Sequence, residues 1–321
     1  MSFLDKLNRD GLFYFMSKPK YKDPPQTFSE QINSLSKDGM VITPDAEKIL
    51  SHTSYYRLSG FWRFYRSPED HKFNEGLTFE TIWEDYRNDR RLRLLIMDSI
   101  ERIEVSFKTK LANILAIKSN SPFPHLNLSY LNEKFLVKKF LTKDGYKNAY
   151  EIFLDAAKSE TTRSTEEFVK KFNDEYDEEY LPIWMLVEIL SFGTVSKYYK
   201  LLIPKIKKEI AKEYNLEYFV FENWLQFLSI VRNMCCHHAR FWRKTFTWKP
   251  RELNKNKYSD WNPNINFNQV YGLLCILKYF MNIIRPQSRW HDDIINFLEL
   301  HKIEKLGFPA DWKNFLPWKE K

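Results

Sequence analysis

Apolar residues recur at Leu92, Ile96, Ile100, Ile103, Phe107, Leu111 and Ile114. Steps of four and three trace one face of an α-helix. The helix they predict begins after Thr78 and runs past Ile114. Asp98 with Arg102, and Glu104 with Lys108, stand four apart with the acid first, the order that suits surface pairs. A helix this long cannot bury its stripe alone, so other helices must cover it in a bundle.

The remaining sequence agrees. Only eight glycines occur in 321 residues, while 43% are apolar and 17% aromatic. That composition favours helices over a turn-rich β fold. Thr43-Pro44 marks a helix start, and the helix is expected to continue through Leu58 until Gly60 interrupts it. Further helices are expected from Pro182 through Leu202, from about Phe219 to Phe241, and near 267–284 and 289–304. "SNSPFPHLN" reads as a loop, "KDGY" as a turn and the polar stretch 247–266 as a long loop. No stretch alternates with period two. The expected fold class is all-α, with an N-terminal helical, aromatic-basic segment over 1–77 and a helical domain over 78–321.

The three cysteines, Cys235, Cys236 and Cys275, do not form a disulfide framework, and a reducing, cytoplasmic setting is expected. Residues 1–15 lack the apolar run of a signal peptide. The longest apolar stretch, 271–284, is too short to span a bilayer and carries Lys278, so it reads as a core helix and no membrane partner is expected.

Residues 229–242 read "SIVRNMCCHHARFW". A zinc site would space its ligands so that they converge, whereas four consecutive helical residues fan out about 100° apart. No metal and no cofactor is expected. Cys235 suits a small buried apolar residue better than a nucleophile, because neither histidine lies at the helical angle of a paired base. On a helical wheel Phe221, Trp224, Leu225, Leu228, Val231 and Cys235 form the core face. Gln226, Ser229, Asn233 and His237 share a polar face, Arg232 lies at the boundary, and His238 falls on the flank nearer the core, in a supporting place. Histidine titrates near neutrality and can take a proton from a ribose 2′-hydroxyl. Arginine stays charged and can grip a phosphate as negative charge builds. Arg232 and His237 together therefore suit metal-free ribonuclease chemistry, and a symmetric pair of helices would bring two such sets to one phosphate.

The net charge of +8 is compatible with an anionic partner. "YYRLSGFWRFYR" sets Arg57, Arg63 and Arg66 among aromatic rings. Two readings fit: bases stack on the rings while the arginines hold phosphates, or the rings form a core edge with the arginines reaching outward. "DRRLR", with Arg90 and Arg93, either projects toward the site or makes surface ion pairs. Glu101 and Glu104 are alternative candidates to lie inside the bundle and fix Arg232.

Arg232, Asn233 and the histidines after them fit the R-N-x-x-x-H form of the R-x(4–6)-H signature of HEPN ribonucleases. "SYYRLSGFWRFY", the block from "FETIWEDYRNDRRLR" to "KTKLANILA", and "LPIWMLVEILSFGTVSKYY" precede it in order. Over residues 40–245 the chain resembles the Abi-type abortive-infection proteins, the AbiD/AbiF-like group; the last 75 residues fit loosely. The family often has a small residue where Cys236 stands, and asparagine where Arg243 stands. The resemblance implies a HEPN-like bundle in an anti-phage protein: a metal-independent endoribonuclease, or an RNA-binding relative of one. It casts His237 as general acid/base, Arg232 as phosphate stabiliser and Asn233 as their orienter. It further implies a homodimer with a composite site and a structured small RNA as partner.

Overall fold

The computed structural model describes residues 24–254, 258–261, 265–301 and 303–319, and the chain forms two units, Met1–Ile82 and Trp83–Lys321. Residues 1–15, where a signal peptide would stand, lie outside the described residues, as does part of the 247–266 loop.

In the first unit, α1 (Phe28–Lys37) opens on a capping box. Thr27 Oγ1 accepts the Glu30 N–H at 3.2 Å, and Glu30 Oε2 accepts the Thr27 N–H at 2.7 Å. The helix expected through Leu58 is two helices, α2 (Ala46–Thr53) and α3 (Tyr55–Trp62). Ser54 makes the break with a left-handed φ of 65°, and its hydroxyl then caps α3 by accepting the Arg57 N–H at 3.3 Å. Gly60, expected to interrupt, lies inside α3. A capping serine ends this helix, and the glycine does not.

Helix α4 spans Phe79–Ser119. Its stripe is buried as the periodicity requires from Leu92 to Leu111; at the end it drifts, burying Leu115 and leaving Ile114 half-exposed. Both expected pairs form, Arg102 with Asp98 at 3.0 Å on the surface and Lys108 with Glu104 at 2.7 Å; the second is not a surface pair, because Lys108 is buried. Next come α5 (Lys134–Val137) and a hairpin of β1 (Lys139–Thr142) and β2 (Gly145–Asn148), antiparallel with Leu141 opposite Tyr146. The hairpin corrects the expectation of no strand. Its four-residue strands are too short and too exposed to show a period, and the "KDGY" turn closes them with Gly145 at φ 102°.

The further α-helices are α6 (Ala149–Arg163), α7 (Glu167–Glu175), α8 (Ile183–Ile189), α9 (Phe192–Leu201), α10 (Pro204–Lys212), α11 (Tyr218–Cys236), α12 (Val270–Ile284) and α13 (Trp290–Leu300). The helix expected from Pro182 to Leu202 is broken into α8 and α9, because Ser191 is extended and caps α9 through the Thr194 N–H at 3.1 Å. Helix α11 packs on α9 and α10. The abundant aromatics meet there: Phe221 lies edge to face 5.8 Å from Phe107 on α4 and 5.4 Å from Tyr199 on α9, and tilted 6.0 Å from Phe280 on α12. Such pairs add roughly 0.5–1.5 kcal/mol each beyond their buried area. Helix α12 is buried on nearly every side, as an apolar helix inside a bundle must be. Among the described residues no helix is long and apolar enough to cross a membrane. The architecture is an all-α bundle, with one small hairpin among the described residues.

Candidate functional site

Helix α11 presents its core face as the wheel places it: Phe221, Trp224, Leu225, Leu228, Val231 and Cys235 are buried. Asn233, Cys236, His237 and His238 are exposed, and Arg232 is half-buried. The helix stops at Cys236, however, short of the expected Phe241. His237 is the C-cap, and His238 takes the left-handed conformation with φ 56°. The Ala239 N–H donates to the Met234 carbonyl at 2.8 Å and the His238 N–H to the Cys235 carbonyl at 3.0 Å. That is a Schellman ending, made here on a histidine in the place usually held by glycine. His238 therefore leaves the helix, and its expected position on a flank nearer the core is corrected by the turn.

Arg232 and Asn233 lie in the last turns of this helix, and His237 and His238 form its ending. Arg232 Nη1 donates to Asn233 Oδ1 at 3.5 Å, a long contact, while its Nε is buried without a hydrogen-bond partner among the described residues. No carboxylate of the described residues pairs with Arg232. Glu101 is exposed and Glu104 is taken by Lys108, so neither fixes it. Cys235 is a core residue, and burial pushes its thiol up to about 12, away from nucleophile chemistry. Among the described residues no three His, Cys, Asp or Glu side chains gather as a metal set.

Residues 239–242 are gripped from α4. Asp89, fully buried, accepts the Phe241 and Trp242 N–H groups on one oxygen at 2.8 and 2.7 Å. Its other oxygen is ion-paired to Arg93, and Arg93 Nη1 also donates to the Ala239 carbonyl at 3.3 Å. Burial drives the Asp89 carboxyl up to about 6, against the pull of Arg93, the two amides and Arg240. One turn earlier on α4, buried Asp85 has Lys305 Nζ at 3.5 Å, and that ammonium lies 5.3 Å from the Trp242 ring centroid. The Lys305 carbonyl accepts the Arg243 N–H at 3.2 Å. The C-terminal segment, which fits the family resemblance loosely, thus packs on the chain just after the motif.

Arg93 was a candidate for RNA contact from a helix surface; it is 6% exposed and occupied by this turn, which corrects that expectation. Arg90 is exposed on α4. In the first unit Arg57 and Arg63 are exposed, with Arg63 over the Phe64 ring at 4.7 Å. Arg66 is half-buried, bound to Asp38 at 2.7 Å and to the His71 carbonyl, and it stacks on Phe73. Its guanidinium holds its own unit together.

Sequence reasoning passed over Asp85 and Asp89, although a signal was present. Extending the α4 periodicity backward puts Asp89 within about 20° of Ile96 and Ile100 on the wheel, and Asp85 within about 40° of Asp89. Two carboxylates on a core stripe need buried donors.

A model of the family described as Abi-like protein matches residues 48–243, which include α4, α11 and the whole R-N-x-x-x-H stretch. No curated protein and no solved structure matches the chain significantly.

Proposed function

Because the chain belongs to the Abi-like protein family, and so to the abortive-infection proteins of antiviral defence, we propose that it is a HEPN-type, metal-independent endoribonuclease. The observation that supports this most is Arg232. Its charge is not spent on any carboxylate of the described residues, and it shares a helix end with the exposed His237. In this chemistry His237 takes the proton of a ribose 2′-hydroxyl as the oxygen attacks the adjacent phosphorus. Arg232 holds the phosphate oxygens while charge accumulates on them. The bond to the 5′-oxygen breaks, and that oxygen receives a proton from a second imidazole. One helix end supplies one Arg/His set, so the proposed working form is a homodimer in which two sets face one phosphate.

The test is RNA cleavage in EDTA. The expected products carry a 2′,3′-cyclic phosphate on one side and a 5′-hydroxyl on the other, and Arg232→Ala and His237→Ala each abolish them. Cleavage that requires Mg²⁺, or that survives the double substitution, overturns the proposal.

A second reading rests on α3, where Tyr56 is 89% exposed beside the exposed Arg57. An open ring next to a cation suits stacking on an unpaired base. A non-catalytic RNA-binding sensor, bound to a structured small RNA, would show salt-sensitive binding without product. Sequencing the RNA that co-purifies with the full chain distinguishes cut substrate from a stably bound RNA.

A further inference from the structure

His237 is exposed, so side-chain packing does little to hold it. Its location depends on where the backbone goes as α11 ends. Before it, the helix and the Schellman bonds fix the chain. After it, residues 239–242 are tied to α4 by the two amides on Asp89 and by Arg93 on the Ala239 carbonyl. We infer that Asp89 is a positioning residue for this site, its carboxylate fixing the left-handed turn that presents His237 and His238.

The chemistry explains why a carboxylate stands there. Two backbone N–H groups converge on a single oxygen, and a charged oxygen is the acceptor that holds both most strongly. The second oxygen faces Arg93, which neutralises the buried charge and reaches the same turn. An apolar residue at position 89 leaves two buried amides without an acceptor and Arg93 without a counter-ion. Asp89 and Trp242 lie 153 residues apart in the chain, so this contact joins the long central helix to the motif turn. A small displacement of a reacting group is enough to lower a rate by about 10²-fold. The functional consequence rests on the ribonuclease reading above.

Two variants of the full chain separate the parts of the grip. Asp89→Asn keeps an oxygen for the two amides but turns an amide nitrogen toward Arg93. Asp89→Ala removes both. We expect Asp89→Ala to lower kcat by about 10²-fold with KM within about threefold. Its Phe241 and Trp242 amides should also exchange hydrogen at least about tenfold faster. In Asp89→Asn those amides should stay protected, and kcat should recover to within about tenfold of wild type. Asp89→Ala that folds and keeps kcat within about threefold of wild type overturns the inference. So does a loss that follows the unfolded fraction alone.

If Asp89→Ala does not fold, Arg93→Leu is read in its place, since it removes both the ion pair and the donor to the Ala239 carbonyl, and unchanged kcat in it overturns the inference. Should the wild type cleave no RNA, the ribonuclease reading falls. The positioning is then decided by the ring NMR signals of His237 and His238: displacement in Asp89→Ala, or in Arg93→Leu where Asp89→Ala does not fold, supports it, and unmoved signals overturn it.

Discussion

Asp89 and His125 are both completely buried in the second unit, and the fold treats them in opposite ways. Asp89 is surrounded by donors: two amides, Arg93 and, at longer range, Arg240. His125 sits among aromatic edges, with ring centroids of Phe123 at 6.2 Å and Tyr180 at 5.9 Å, and neither of its nitrogens has a hydrogen-bond partner among the described residues. Burial pushes each toward its neutral form, Asp89 up to about 6 and His125 down to about 4. The difference lies in what each would leave behind. His125 is a neutral side chain that the core accommodates. Asp89 is a costly charge surrounded by groups that need it, and two of them, the Phe241 and Trp242 amides, belong to the segment that follows the histidines of the motif.

The largest expected effect follows directly. Asp89→Ala strands Arg93 and two amides, and should destabilise the chain by about 3–5 kcal/mol, the range for breaking a buried ion pair from one side. Urea unfolding at pH 7 measures this. A loss below about 1 kcal/mol would put Asp89 in the same class as His125 and erase the contrast. His125→Phe should instead stabilise by about 1–3 kcal/mol, since it removes two buried polar atoms that have no partner to lose. A destabilised His125→Phe variant would mean that the imidazole holds something by hydrogen bonding.

The same two groups set the acid limb of the stability curve, with opposite signs. Asp89 has an ordinary value of 3.8 and a folded value of about 6. Its contribution is fully present below pH 4 and is lost as pH rises to about 6, because the unfolded chain gives up its proton first. That loss amounts to about 3 kcal/mol. His125 falls from 6.5 to about 4 on folding. Its contribution is present above pH 6.5 and is lost, again by about 3 kcal/mol, as pH falls to 4. Between pH 4 and 6 the two nearly cancel in the wild type. Denaturant midpoints across that window should therefore fall with rising pH in His125→Phe and climb with rising pH in Asp89→Asn. Parallel slopes in the two variants would break the comparison.

How far this was legible in the sequence differs between the two halves of the site. The helix, its core face and the Arg232–His237 spacing follow from periodicity, because side chains on a regular helix are placed by counting residues. Counting fails where the helix does. Nothing in "CCHHARFW" announces an ending, since the residue that takes the left-handed turn is a histidine and not a glycine. The wheel therefore carried His238 too far. Ser54 and Ser191 defeat the counting in the same way, each by capping a new helix inside an apolar run. Asp89 was hidden for another reason. Its partners, Phe241 and Trp242, are backbone groups of a distant segment, and backbone amides leave no trace in residue identity. Only its place on the apolar stripe of α4 hinted that it was buried.

The smallest effect concerns the turn itself. A residue other than glycine in the left-handed region carries roughly 1–2 kcal/mol of strain, and His238 does so at φ 56°. Glycine relieves it but has more freedom to lose from the unfolded chain, and it gives up the interactions His238 has of its own. His238→Gly should therefore gain only about 0.5 kcal/mol. His237, at φ −89°, has no such strain, and His237→Gly should lose a few tenths. Neighbouring histidines given the same substitution should move the melting temperature in opposite directions. If both lower it, the grip of Asp89 and Arg93 on residues 239–242 is not what sets the left-handed turn, and His238 holds the conformation through its side chain.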